Sequence, residues 1–228
     1  MTNMIDRARD VPKNSLRGAV RRVLLVCGIL SSLLYVVTTV LAAMQWEGYD
    51  SASQTISELF AIDAPPKSLV VPLFLLHGVL LIAFAIGVWE SAGRRRALRV
   101  TGGLLIADGV VGLVTAAFFP IHLRGAEGTL TDTMHAILTA VLVLFILLAI
   151  GFGAGAFGPG FRLYSLVTLV TLIVFGALAG MEGSRLAANE PTPWLGVFER
   201  INIGGYLLWL LVLAVALLRT PASHQTRE

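Results

Sequence analysis

Along this chain, apolar residues run in long unbroken stretches, separated by short polar connections. A membrane-spanning helix needs about 20 mostly apolar residues. Six stretches meet that length: 23–44, 68–89, 100–120, 133–156, 163–181 and a last one ending at 218. The first carries no charged residue. The second contains Pro72 and His77, and the third contains Asp108. Thr192-Pro193 predicts an N-cap followed by proline at the first helical position, which would start the sixth segment at 193. The expectation is an all-α, polytopic bundle of six transmembrane helices. Residues 1–22 form a basic tail, 23–218 the membrane domain and 219–228 a second tail. The first apolar run is longer than a signal-peptide core of about 7–15 residues, so it is expected as a retained helix.

Composition agrees. The 228 residues are 56% hydrophobic and 14% charged, against about 25% charged in soluble domains. One cysteine, Cys27, excludes an intramolecular disulfide. The charges sort by side. Of 17 Lys and Arg residues, Arg7, Arg9, Lys13, Arg17, Arg21, Arg22, Arg94, Arg95, Arg96, Arg99, Arg162, Arg219 and Arg227 fall on one side of the six segments. Lys67, Arg124, Arg185 and Arg200 fall on the other. The positive-inside rule then predicts both termini in the cytoplasm. Acidic residues collect on the outer side, so a cation or polar headgroup suits that face better than a free anion. Trp46 and Trp194 near the outer boundary, and Trp89 and Tyr164 near the inner one, fit interfacial aromatics. Gly176 and Gly180, with Gly102, Gly103, Gly109 and Gly112, would let helices approach closely. Gly158-Pro159-Gly160 is expected as a tight turn.

Candidate chemistry lies mostly at the outer ends of the segments. Thr55-Ile56-Ser57-Glu58 has capping-box spacing and is expected to open a short helix on the membrane surface. Asp132 and His135 are three apart and share a helix face; with His122 and Glu58 they form an outer cluster suited to acid–base work or to zinc. Loop spacing leaves metal and cofactors unassigned. Deeper, His77 and Asp108 lie at matching depths and would form a buried polar pair, either a helix tie or a proton relay. Arg200, beside Glu199, would sit below the outer boundary and need an acidic partner such as Glu58 or Asp132, a bound phosphate or carboxylate, or the headgroup layer.

Gly28-Ile29-Leu30, Ile56-Ser57-Glu58-Leu59, Phe119-Pro120, His135 and Glu199-Arg200-Ile201 occur in an order that resembles the six-helix bacterial membrane family known as domain of unknown function 998. The resemblance covers about residues 23–218. Family members carry Gly after the Ser-x-Leu element and Asp two residues after the Pro; Phe60 and His122 stand there in this chain. The resemblance implies the fold and no particular activity, with a distant similarity to lipid-remodelling membrane proteins of the Frag1 type. Three functions are expected to compete. One is an outward polar pocket, with Ser57, Glu58, His122, Glu199 and Arg200, that binds a lipid headgroup or small molecule without a reaction. Another is an intramembrane lipid hydrolase or transferase using Asp132 and His135. The third is a proton-coupled transporter using His77 and Asp108. Membrane lipids, rather than nucleic acid, are the expected partners.

Overall fold

Each uninterrupted apolar stretch becomes a helix, because backbone N–H and C=O groups in lipid must be satisfied within the segment itself. The computed structural model describes residues 2–220, with side chains from residue 16 onward. The described residues are all-helical: α1 (Thr2–Met44), α2 (Lys67–Glu90), α3 (Arg96–Phe118), α4 (Leu130–Gly153), α5 (Pro159–Met181), a short α6 (Gly183–Ala187) and α7 (Leu195–Arg219). A single 3-10 turn, Ser57–Phe60, interrupts the long α1–α2 loop. Six helical stretches are long and apolar enough to cross a membrane. The chain is a multi-pass membrane protein.

Three helix ends differ from expectation. α1 is already helical well before residue 23. The extension has a use: the Arg21 guanidinium donates to Ser91 Oγ at 2.7 Å and to the Leu217 carbonyl at 2.9 Å, closing the C-terminal ends of α2 and α7. The side chains of Arg7, Arg9, Lys13 and Arg227 lie outside the described residues. Gly158-Pro159-Gly160 is the start of α5 rather than a turn, with Gly158 as N-cap; proline suits the first helical position, where no N–H is needed. α7 starts at Leu195 instead of 193, because the Thr192 hydroxyl is occupied by Arg124 and does not cap the helix.

In space the spanning helices follow the order α4, α3, α2, α1, α7, α5, each packed on the next; α4 and α5 complete the ring most loosely. Small residues set the closest approaches. A Cβ on Gly102 would stand 2.9 Å from the Trp89 amide nitrogen, and one on Gly153 would enter the Trp209 indole. Gly109 likewise meets Ile82, whereas Gly180 faces open space and Gly176 meets only Asn202. The expected Gly176/Gly180 packing motif is therefore not used; both glycines line a cavity instead. Trp209, Phe84, Leu25, Leu98 and Leu105 are fully buried at the centre. Val26, Leu33, Val37 and Val40 of α1 point outward, the pattern of a helix facing lipid on one side.

Buried polar groups tie the helices pairwise. Trp209 Nε1 donates to Ser165 Oγ at 3.0 Å, linking α7 to α5. Tyr206 donates to Asp108 Oδ2 at 2.6 Å, linking α7 to α3. Ser31 Oγ and His77 Nδ1, 2.9 Å apart, link α1 to α2. The expected His77–Asp108 pair is thus not made, since each side chain has its own partner on a different helix.

Candidate functional site

The α1–α2 loop becomes ordered because two arginines from distant elements take up its carbonyl oxygens. Arg200 of α7 donates through Nη1 to the carbonyls of Ser51 (2.7 Å) and Gln54 (2.9 Å), and through Nη2 to the Tyr49 hydroxyl (2.6 Å). Among the described residues Arg200 pairs with no acid, and the loop occupies both of its terminal guanidinium nitrogens. Its expected role as a binding residue gives way to a clamp on the loop. The Tyr49 hydroxyl in turn donates to the Thr55 carbonyl at 2.8 Å. Burial pushes that hydroxyl up to about 12, outweighing the pull of Arg200.

Arg124, from the α3–α4 connection, closes the loop from the other side. Nε reaches Glu58 Oε1 at 2.5 Å and Nη2 reaches Oε2 at 3.0 Å, a two-pronged pair. Nη2 also donates to the Ser53 carbonyl, and Nη1 to Thr192 Oγ1, both at 2.6 Å. Glu58 keeps the capping role its spacing predicted: its Oε2 accepts the Thr55 amide at 2.6 Å. The turn is buried among Ile56, Leu59 and Phe60, so it packs inward rather than lying on a surface. Next to it, Glu199 accepts the Ile56 amide at 2.5 Å.

The expected outer cluster divides into separate pairs. His122 Nδ1 lies 2.9 Å from Asp132 Oδ2, and the His122 amide donates to Oδ1 at 2.7 Å. Asp132 also caps α4 through Thr129. It therefore pairs with His122 and not with His135 one turn along. His135 has other partners: Nδ1 is 2.7 Å from the Phe119 carbonyl, and Nε2 is 3.2 Å from Ser57 Oγ. Among the described residues, no three His, Cys, Asp or Glu side chains converge where they could hold a metal ion.

These pairs line one end of a cavity of about 1180 Å³. Thr55, Ser57, Glu58, His122, Arg124, Asp132, His135 and Glu199 make that end polar. The other walls are Ala136, Ala140 and Val143 of α4, Ile173, Gly176, Ala177 and Gly180 of α5, and Asn202 and Ile203 of α7. Ala136, Ala140, Ile173, Ala177 and Gly180 are exposed, which marks the α4–α5 seam as open. Arg200, His77 and Asp108 do not line it. Arg124, Thr192, Tyr206 and Asn202 were not among the expected residues. Asn202 and Tyr206 follow Glu199 at helical spacing, so the polar stripe was readable; Arg124 and Thr192 have only long-range partners.

The family model described as Protein of unknown function (DUF998) matches residues 29–216. The chain belongs to that family. The match takes in all six spanning helices of this DUF998 protein, both arginine clamps and every polar residue of the cavity. No curated protein and no solved structure matches it.

Proposed function

We propose that this DUF998 protein binds an amphiphilic lipid, headgroup at the polar end of the cavity and acyl chain along the α4–α5 seam. The observation that carries this reading is the division of one cavity into a polar end and an apolar, laterally open trough. Its volume of about 1180 Å³ exceeds the ~300–1,000 Å³ usual for small-molecule sites, leaving room for part of a chain. Among the polar groups, Glu58 and Asp132 already have basic partners. Glu199 accepts only the Ile56 amide among the described residues, so a headgroup ammonium complements it best. The distribution of Lys and Arg supports an orientation with both termini in the cytoplasm and the cavity toward the outer leaflet of a bacterial plasma membrane.

The test is native mass spectrometry of the protein in nanodiscs containing phosphatidylethanolamine and phosphatidylglycerol. The wild type should retain one phosphatidylethanolamine after the bulk lipid is stripped. Ala140→Trp and Ala177→Trp, which fill the trough, should lose it without a change in melting temperature. Glu199→Gln should lose the preference for the amine headgroup. Retention of lipid by the filled variants refutes the reading.

A further inference from the structure

The proposed lipid cavity contains one arrangement that binding alone does not require. His135 Nδ1 faces the Phe119 carbonyl at 2.7 Å. A carbonyl only accepts, so Nδ1 carries the proton, and in the neutral imidazole Nε2 is the acceptor. The Ser57 hydroxyl, 3.2 Å from Nε2, then donates to it. This is the relation of a nucleophile to its base, with the base held in one tautomer by a third group, and the distance is within the reach such pairs show. His135 is 6% exposed and its ring packs on Phe60, so it is fixed. Ser57 is half-buried, and both residues line the cavity.

We propose that Ser57 and His135 form a nucleophile–base dyad that cleaves or transfers the acyl ester of a lipid held in this cavity. Ser57 Oγ forms a bond to the ester carbonyl carbon as its proton passes to His135 Nε2. The C–O bond to the lipid alcohol breaks, and that alcohol leaves with the proton from Nε2. Water, or the hydroxyl of a second lipid, attacks the acyl-serine while giving its proton to Nε2. Release of the acid or new ester returns that proton to Ser57 Oγ. His135 keeps the acid–base role expected from the sequence, but its partner is Ser57 rather than Asp132. The substrate class rests on the lipid-binding reading; the dyad itself does not.

A serine that merely tethers the 3-10 turn to α4 does not react with a fluorophosphonate, and that separates the two roles. Purified full-length protein in nanodiscs is treated with a fluorophosphonate probe, and the adduct is located by peptide mapping. The wild type should carry it on Ser57. Ser57→Ala should abolish it, Ser184→Ala on α6 should leave it unchanged, and His135→Gln should slow it by about 10²-fold or more. A phosphatidylethanolamine with a fluorescent acyl chain should lose that chain with the same dependence. Because the wild type alone reports the adduct, a variant that fails to fold does not blunt the result. Absence of a Ser57 adduct in protein that still retains lipid overturns the dyad and leaves lipid binding standing. A Ser57 adduct in protein that retains no lipid overturns lipid binding and leaves the dyad standing. Absence of both overturns both.

Discussion

Replacing Arg124 by alanine should be among the most damaging single changes in this protein. Glu58 has 3% side-chain exposure and Arg124 22%, and two of the guanidinium nitrogens contact the carboxylate at 2.5 and 3.0 Å. Removing one partner of a buried pair strands the other charge, at a cost of about 3–5 kcal/mol. The Thr192 and Ser53 hydrogen bonds go with it. In a chain of this size each kcal/mol moves the melting temperature by about 2–4 °C, so the expected fall is about 6–20 °C. Arg185 provides an internal reference, being 46% exposed with its acidic partners at 3.8 and 3.9 Å. Exposed pairs contribute about 0–1 kcal/mol, and Arg185→Ala should shift melting by less than about 4 °C. Replacing both members, Glu58→Met with Arg124→Met, should recover part of the loss because no charge is stranded. Thermal unfolding in one detergent, followed by tryptophan fluorescence, compares all four proteins. An Arg124→Ala shift no larger than that of Arg185→Ala would refute the claim that this pair holds the loop.

The Tyr49 hydroxyl titrates high because it is buried. Its folded value lies above the unfolded one, so the stability it contributes is complete below about pH 10 and is lost as pH rises through about 12. The wild-type minus Tyr49→Phe difference in tyrosinate absorbance should therefore rise near 12 and not near 10. Gly196→Ala would drive a Cβ into the carbonyls of Ser51 and Gln54 and against Arg200 Nη1. It should cost about 1–3 kcal/mol and expose the α1–α2 loop to limited proteolysis; an uncut loop would count against the Arg200 clamp. Tyr206→Phe removes the donor to Asp108 Oδ2; among the described residues the other oxygen, Oδ1, is buried without a partner. The expected cost is about 1–3 kcal/mol in unfolding measurements. In an Asp108→Leu background the same change should cost less than about 1 kcal/mol, since no acceptor is then orphaned.

The six crossings were legible because each is a continuous apolar run, a property local in sequence. So was the Glu58 cap, whose partner Thr55 is three residues away. What failed to show was rotation and return. His77 and Asp108 do lie on adjacent helices, but equal depth says nothing about which way a side chain turns around its helix. His77 turns to Ser31 and Asp108 to Tyr206. For Arg200 an acid, a bound anion and the headgroup layer were the expected partners; it meets carbonyl oxygens, which every residue possesses and no sequence distinguishes. The α3–α4 connection folds back so that His122, ten residues before Asp132, outcompetes the nearer His135 for its carboxylate. That exchange frees His135 for Ser57, a pairing across 78 positions with no spacing signal.

The same contacts decide which part of the cavity can move. Its polar end is fixed by hydrogen bonds from three directions: Arg200 and Glu199 of α7, Arg124 of the α3–α4 connection, and His135 of α4. Below that end, α5 is tied to α7 by Asn202 to the Leu172 carbonyl at 2.6 Å and by Trp209 to Ser165. α4 is tied to α3 by Thr101 to the Ala149 carbonyl at 3.4 Å. Among the described residues no side-chain hydrogen bond joins α4 to α5, and apart from Thr139 the faces they turn to the cavity below His135 are alanine, glycine and aliphatic side chains. Separating two such faces in lipid breaks dispersion contacts alone, because lipid chains replace them with comparable ones. If the cavity takes a lipid as proposed, entry through the seam would cost little, while the polar end keeps its geometry. On the proposed lipid-binding reading, a lipid arriving sideways would meet polar groups already assembled, with the Ser57 hydroxyl already 3.2 Å from His135 Nε2.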